Sequence, residues 1–85
     1  MSTTMLEAIQ AEALFCSCLQ ASQHPTTTQI LTAVQTMLGT YGPSGCAATV
    51  AQEFGEHPEI AAPRMCWALS AVHEAVVRST ELVAA

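Results

Sequence analysis

Lysine and aspartate are absent from this sequence of 85 residues, and charged residues of all kinds make up only 11% of it. The seven acidic residues are therefore all glutamate and the two basic residues are both arginine, which gives a formal net charge of −5. An acidic field repels phosphate backbones and anionic lipid headgroups. This balance disfavours nucleic-acid binding and a role at a membrane surface.

Aromatic residues and long apolar runs are also scarce. Aromatic side chains make up 5% of the sequence against 51% for all hydrophobic residues, so the core must be built from aliphatic side chains and alanine. No apolar run approaches the roughly 20 residues of a membrane span, and the N-terminus lacks the basic segment of a secretory signal. We therefore expect a cytoplasmic protein.

The length predicts one domain, residues 1–85, near the size at which a single hydrophobic core is only just sufficient. Because so little charge is available to cover the surface, the composition favours a homodimer or a surface covered by a protein partner. In a reducing compartment the cysteines are expected to stay free and to be buried as small hydrophobic side chains. These cysteines are Cys16, Cys18, Cys46 and Cys66.

Start and stop signals in the sequence predict an all-α fold, a small orthogonal bundle of four helices. Thr4 with Glu7, and Thr26 with Gln29, have the spacing of capping boxes. The run of residues 39–45 contains three glycines and a proline, which predicts a turn. The predicted helices cover residues 4–18, 27–41, 45–54 and 58–82.

The last two helices are predicted to form a pair that resembles a helix-turn-helix. Gly55 can adopt the left-handed conformation that ends a helix, and Pro58 is compatible with the first position of the next helix. Pro63 lies about five residues into that helix and is expected to kink it.

Apolar residues recur at helical spacing, which predicts the helix faces that form the core. The predicted core residues are Leu6, Ile9, Ala13, Leu14, Phe15, Cys16, Leu19, Ile30, Val34, Met37, Leu38, Tyr41, Cys46, Ala47, Val50, Ala51, Phe54, Met65, Leu69, Val72, Val76 and Val83.

The only tryptophan, Trp67, falls outside the core stripe of its helix, since it lies roughly 160° around the helix from Leu69. One interpretation is that Trp67 packs on the first helix or on the connection after it. The other is that Ile60, Arg64 and Trp67 form a patch that contacts a second copy or another protein, because tryptophan and arginine are favoured at interfaces. The spacing does not separate these two interpretations. The leading functional hypothesis is a small acidic interaction module without catalytic activity.

A DNA-binding regulator is the first alternative, based on the helix-turn-helix-like pair. A recognition helix needs basic and amide side chains for phosphates and base edges. The last helix offers Arg64 alone at its start, with Glu53 and Glu56 close by, so a plain helical hairpin is favoured.

A thiol and histidine metal site is the second alternative. Its candidate ligands are Cys16, Cys18, Cys46, Cys66, His24, His57 and His73. Structural zinc sites usually contain closely spaced ligand pairs on turns, whereas Cys16 and Cys18 are predicted within a helix with their thiols about 200° apart. Neither a metal nor a cofactor is therefore predicted, and no nucleophile with an adjacent base can be assembled for catalysis.

The segment GCAATVAQEFGEHPEIAAPRM-x-W-A, with the upstream segments EALF and LQ-x-S, resembles small helical proteins of unknown function from high-GC actinobacteria. The resemblance spans residues 13–72. It implies an intracellular bacterial protein and brings no activity, ligand or functional residue with it. Pro63 and Thr49 depart from the pattern, where a helix former and a basic residue are expected, and this departure weakens the nucleic-acid alternative further.

Overall fold

Three α-helices pack against one another in the computed structural model, which describes the backbone of residues 4–84 and the side chains of residues 4–81. They are α1 (Met5–Cys16), α2 (Thr27–Glu56) and α3 (Pro58–Ala84), with a short 3-10 helix, Ala21–Gln23, between α1 and α2. The described residues contain no strand, so the all-α prediction is confirmed. None of these three helices combines the length and apolar character that a membrane span requires.

Side-chain caps begin α1 and α2 where the sequence predicts them. Thr26 Oγ1 accepts a hydrogen bond from Gln29 N at 3.1 Å, and Gln29 Oε1 accepts one from Thr26 N at 2.8 Å, which completes a capping box. Thr4 Oγ1 accepts from Glu7 N at 3.0 Å. The Glu7 carboxylate does not return to Thr4 but lies 3.1 Å from His73 Nδ1 on α3.

The predicted count of four helices is wrong. The two helices expected over residues 27–41 and 45–54 belong to one helix, α2, and the turn expected over residues 39–45 is helical except at Gly42. Gly42 has φ 73 and ψ 167, so a single residue changes the direction of the chain. Pro43 can follow such a break because it has no N–H that needs a helical acceptor. The expected seven-residue turn is therefore a one-residue kink.

Gly42 and Gly39 should respond oppositely to replacement by alanine. The backbone of Gly42 lies in a region that is essentially restricted to glycine, so Gly42→Ala is expected to lower the free energy of unfolding by about 1 to 2 kcal/mol. Gly39 is helical, and a Cβ added there would meet no atom within 4 Å, so Gly39→Ala should raise the free energy of unfolding by about 0.5 to 1 kcal/mol. Urea unfolding followed by circular dichroism measures both. Equal changes in the free energy of unfolding for the two variants would contradict a kink at Gly42.

The junction between α2 and α3 also differs from the prediction. Gly55 is helical, not left-handed, and α2 continues to Glu56. His57 is the residue that leaves the helix, with φ −139 and ψ 61. Pro58 disfavours the helical conformation of the residue before it, so the proline, not the glycine, ends α2. Pro58 begins α3 as predicted, and α3 continues through Pro63.

The core lies where the three helices meet and contains many small side chains. Five of the twelve buried apolar residues among those described are alanine, which lets the helix backbones approach closely. The α3 face is centred on Val72 and three of these alanines, while the predicted Met65, Leu69 and Val76 flank it and are half-buried. The side chain of Val83 lies outside the described residues. The buried residues are Ala11, Ala13, Leu14, Phe15, Ile30, Val34, Cys46, Val50, Ala61, Ala68, Val72 and Ala75.

Several residues predicted to be buried are exposed. Leu6, in the first turn of α1, is 63% exposed, and Tyr41, next to the kink, is 61% exposed. Cys18 lies in the connection beyond the end of α1, and Cys66 lies about 200° around α3 from the buried Ala68. Both of these thiols are exposed. Ala51 and Phe54 are also exposed.

Candidate interaction surface

The guanidinium of Arg64 on α3 caps the C-terminal end of α1. Its Nε donates to Phe15 O at 3.0 Å, and its Nη2 donates to Ser17 O at 2.8 Å and more weakly to Leu14 O at 3.5 Å. The last carbonyls of a helix have no intrahelical donor, and a cation there interacts favourably with the helix dipole. The last turn of α1 contains no basic residue of its own, so α3 supplies the charge.

Two aromatic rings hold the Arg64 guanidinium between them. Its Cζ lies 5.6 Å from the ring centroid of Phe15 and 5.3 Å from that of Trp67. Phe15 in turn stacks on Phe54 of α2, with 6.3 Å between the centroids and 20° between the ring planes. We call these four side chains, Phe54, Phe15, Arg64 and Trp67, the aromatic ladder. The ladder crosses all three helices.

The environment of Arg64 affects its titration but not its charge. Partial burial lowers the pKa of Arg64, while the nearby thiols of Cys16 and Cys18 act in the opposite direction. The ordinary pKa of arginine is so high that the side chain remains a cation in proteins. The ladder therefore contains a permanent positive charge.

Ile60 is one turn of α3 before Arg64 and two turns before Trp67, so the three residues share a helix face. The Ile60 side chain is 62% exposed, whereas Trp67 is half-buried and packs against the core. The three predicted contact residues are therefore brought together, but Arg64 is engaged within the chain.

A groove of about 500 Å³ lies between α3, the start of α2 and the connection before it. Trp67 forms part of one wall and Ile30 part of the other, while Glu74 and Arg78 line the α3 side. Arg78 Nη2 lies 2.9 Å from Glu74 Oε1, in an exposed ion pair between residues one turn apart. His24, in the connection, has a φ of 48 and also lines the groove.

The candidate metal ligands do not form a site. His73 lies against Glu7, whose side chain is only 14% exposed, and His24 and His57 lie in the two connections. Among residues 4–81, no group of three or more histidine, cysteine and acidic side chains is close enough to hold a metal ion.

Sequence reasoning missed Phe15 and Phe54 as neighbours of the predicted patch. Both were assigned to the core, and nothing in the spacing of α3 shows that the end of α1 lies against Arg64. The available signal is the absence of a basic residue from the last turn of α1, because the helix then has no cation of its own near its last carbonyls.

Comparisons of the chain with models of protein families, with curated proteins and with solved structures found no match.

Proposed function

We propose that this chain is a small acidic interaction module without catalytic activity, which acts by binding a protein surface, most directly that of a second copy. The proposal rests on the exposed Ile60, on the helix face that also carries Arg64 and Trp67. A large apolar side chain beside a fixed aromatic ring is a favourable interface anchor. Because Arg64 already holds Trp67 in place, little side-chain freedom would be lost on binding.

The composition supports the same proposal. Charged residues make up 11% of the chain, against roughly 25% in an average soluble domain. Phe54, at the other end of the aromatic ladder, is 37% exposed and stacks on Phe15. A partner covering Ile60 and Trp67 would remove apolar area from water, which is the main driving force of association.

Replacing Ile60 tests this proposal directly. We expect light scattering to give the mass of a dimer at tens of micromolar wild-type protein, and Ile60→Glu to weaken the dimer at least tenfold by burying a charge in the interface. Acrylamide quenching of Trp67, the only tryptophan, should fall as the wild-type dimer forms.

Val77→Glu is the matched control, because Val77 is 40% exposed on the same helix but lies about 100° around it from Ile60. This variant should dimerise like the wild type. A wild-type monomer at several hundred micromolar would contradict self-association, and equal weakening by both variants would contradict the choice of face.

The two alternatives draw less support. A DNA-binding regulator needs free cations, yet Arg64 is bonded to the end of α1 and Arg78 is paired with Glu74. A thiol and histidine metal site needs at least three clustered ligands, and no such group exists among the described residues. Cytoplasmic location and the likeness to actinobacterial proteins stay predictions.

A further inference from the structure

Two free cysteines are in contact where the end of α1 packs against the second half of α2. Cys16 is the last residue of α1, and Cys46 lies thirty residues later in the sequence. Cys16 Sγ donates to Cys46 O at 3.5 Å, and Cys46 Sγ donates to Met37 O at 3.8 Å. The Cys16 sulfur is therefore in contact with Cys46 in the folded chain, although thirty residues separate the two in the sequence.

The two thiols differ in their access to solvent. Cys46 is 0% exposed, whereas Cys16 is half-buried and reaches the surface. A small oxidant can therefore meet Cys16 but not Cys46. Any activated form of Cys16 lies against Cys46, whose thiol is inside the protein, where outside thiols are excluded.

We propose that Cys16 and Cys46 are a reversible redox pair, which a small two-electron oxidant such as a peroxide converts into a disulfide between α1 and α2. The Cys16 thiolate attacks the peroxide, its sulfur becomes a sulfenic acid, and one water is released. The Cys46 sulfur then attacks the Cys16 sulfur, the S–S bond forms, and a second water leaves. The two thiols lose two protons and two electrons, and the peroxide accepts them.

The surroundings of Cys16 set the speed of this reaction. Burial and the neighbouring Cys46 raise the pKa of the Cys16 thiol to about 11. The thiolate is the reactive form. With a pKa of about 11 it is scarce at neutral pH, and up to that pH its abundance rises about tenfold with each unit increase in pH. The pair should respond slowly to oxidants at neutral pH and faster in alkaline solution.

The test uses the full chain with Cys18→Ser and Cys66→Ser, which removes the two exposed thiols. Diamide, a two-electron oxidant that spares methionine, should abolish both remaining thiols and lower the mass of the monomer by two hydrogens. Cyanogen bromide cleavage after Met37 should leave the fragments carrying Cys16 and Cys46 joined until a reductant is added. The initial rate should rise about tenfold per unit between pH 7 and pH 9.

Oxidation should also change the stability of the fold. Closing a loop of about thirty residues restricts the unfolded chain, so the midpoint of thermal unfolding should rise by roughly 10 °C or more and return on reduction. Adding Cys46→Ala to the same background should leave the Cys16 thiol without an internal partner. If that variant fails to fold by circular dichroism, Cys16→Ser serves the same purpose, because Cys16 is less buried.

Three results would overturn the proposal. The first is survival of both thiols after diamide treatment at pH 9. The second is a disulfide formed between chains, which a non-reducing gel would show as a covalent dimer. The third is separation of the fragments that carry Cys16 and Cys46 after cyanogen bromide cleavage without a reductant, since it would mean that no bond joins the two residues.

Discussion

Arg64→Ala is expected to lower the free energy of unfolding by about 2 to 3 kcal/mol. The change removes charge-assisted hydrogen bonds to Phe15 O and Ser17 O, and a hydrogen bond to a charged group contributes about 1.5 to 3 kcal/mol. It also removes the cation between the rings of Phe15 and Trp67. Partial exposure of the site lets water replace some of the lost bonds, which limits the effect. Urea unfolding followed by circular dichroism gives the value.

Arg78→Ala is the matched control, since Arg78 is the other arginine and its ion pair with Glu74 is exposed. An exposed pair of this spacing contributes only a few tenths of a kcal/mol. Arg64→Lys should recover less than half of the loss, because an ammonium group cannot donate in the fixed fork that serves two carbonyls. Equal effects of Arg64→Ala and Arg78→Ala would contradict the capping role.

Leu14→Ala is expected to cost about 3 kcal/mol of the free energy of unfolding. Leu14 is 0% exposed and is among the largest fully buried side chains of the described residues. Truncation loses its transfer free energy and leaves a cavity. The many alanines around it have no rotamers with which to fill the space, so relaxation is limited. Thermal unfolding should show a fall in the midpoint of roughly 12 °C or more.

Leu6→Ala provides the control on the same helix. Leu6 is 63% exposed, and both substitutions leave the good helix former alanine, so helix propensity cancels between them. The Leu6 variant should change the free energy of unfolding by less than about 0.5 kcal/mol. A loss for Leu6→Ala comparable with that for Leu14→Ala would contradict the orientation of α1.

Helix starts that depend on residues within one helical turn could be predicted from the sequence. The capping residues Thr4 and Thr26 and the helix-starting Pro58 all occupy their predicted positions. These features depend on backbone groups at most four residues away, so the adjacent sequence contains every group that takes part in them. The all-α class follows from the helical spacing of the apolar residues.

Where several residues could break or end a helix, the sequence did not predict correctly which of them would do so. Gly39, Gly42 and Gly45 all permit a break, and the break falls at Gly42, the residue before Pro43, where the proline disfavours the helical conformation. Gly55 permits a helix end as well, yet Pro58 constrains the residue before it and α2 runs on to Glu56. Glycine allows a conformation without requiring it, whereas proline excludes one.

The candidate surface was predictable as a face but not as a set of contacts. Ile60, Arg64 and Trp67 share a helix face by spacing alone. The acceptors of Arg64 and the ring of Phe15 lie on α1, and nothing near Arg64 in the sequence identifies them. The contact between Cys16 and Cys46 has the same character, since it depends on how α1 meets α2.

The capping of α1 by Arg64 also imposes an order on folding during synthesis. Arg64 lies 47 to 50 residues after the carbonyls that it binds. At about 5 to 20 residues per second, the ribosome adds Arg64 roughly 2 to 10 seconds after those carbonyls have been made. Until then water must hydrate the end of α1, and a short helix is marginal by itself. A nascent chain that stops before α3 therefore lacks the residue that secures its first helix.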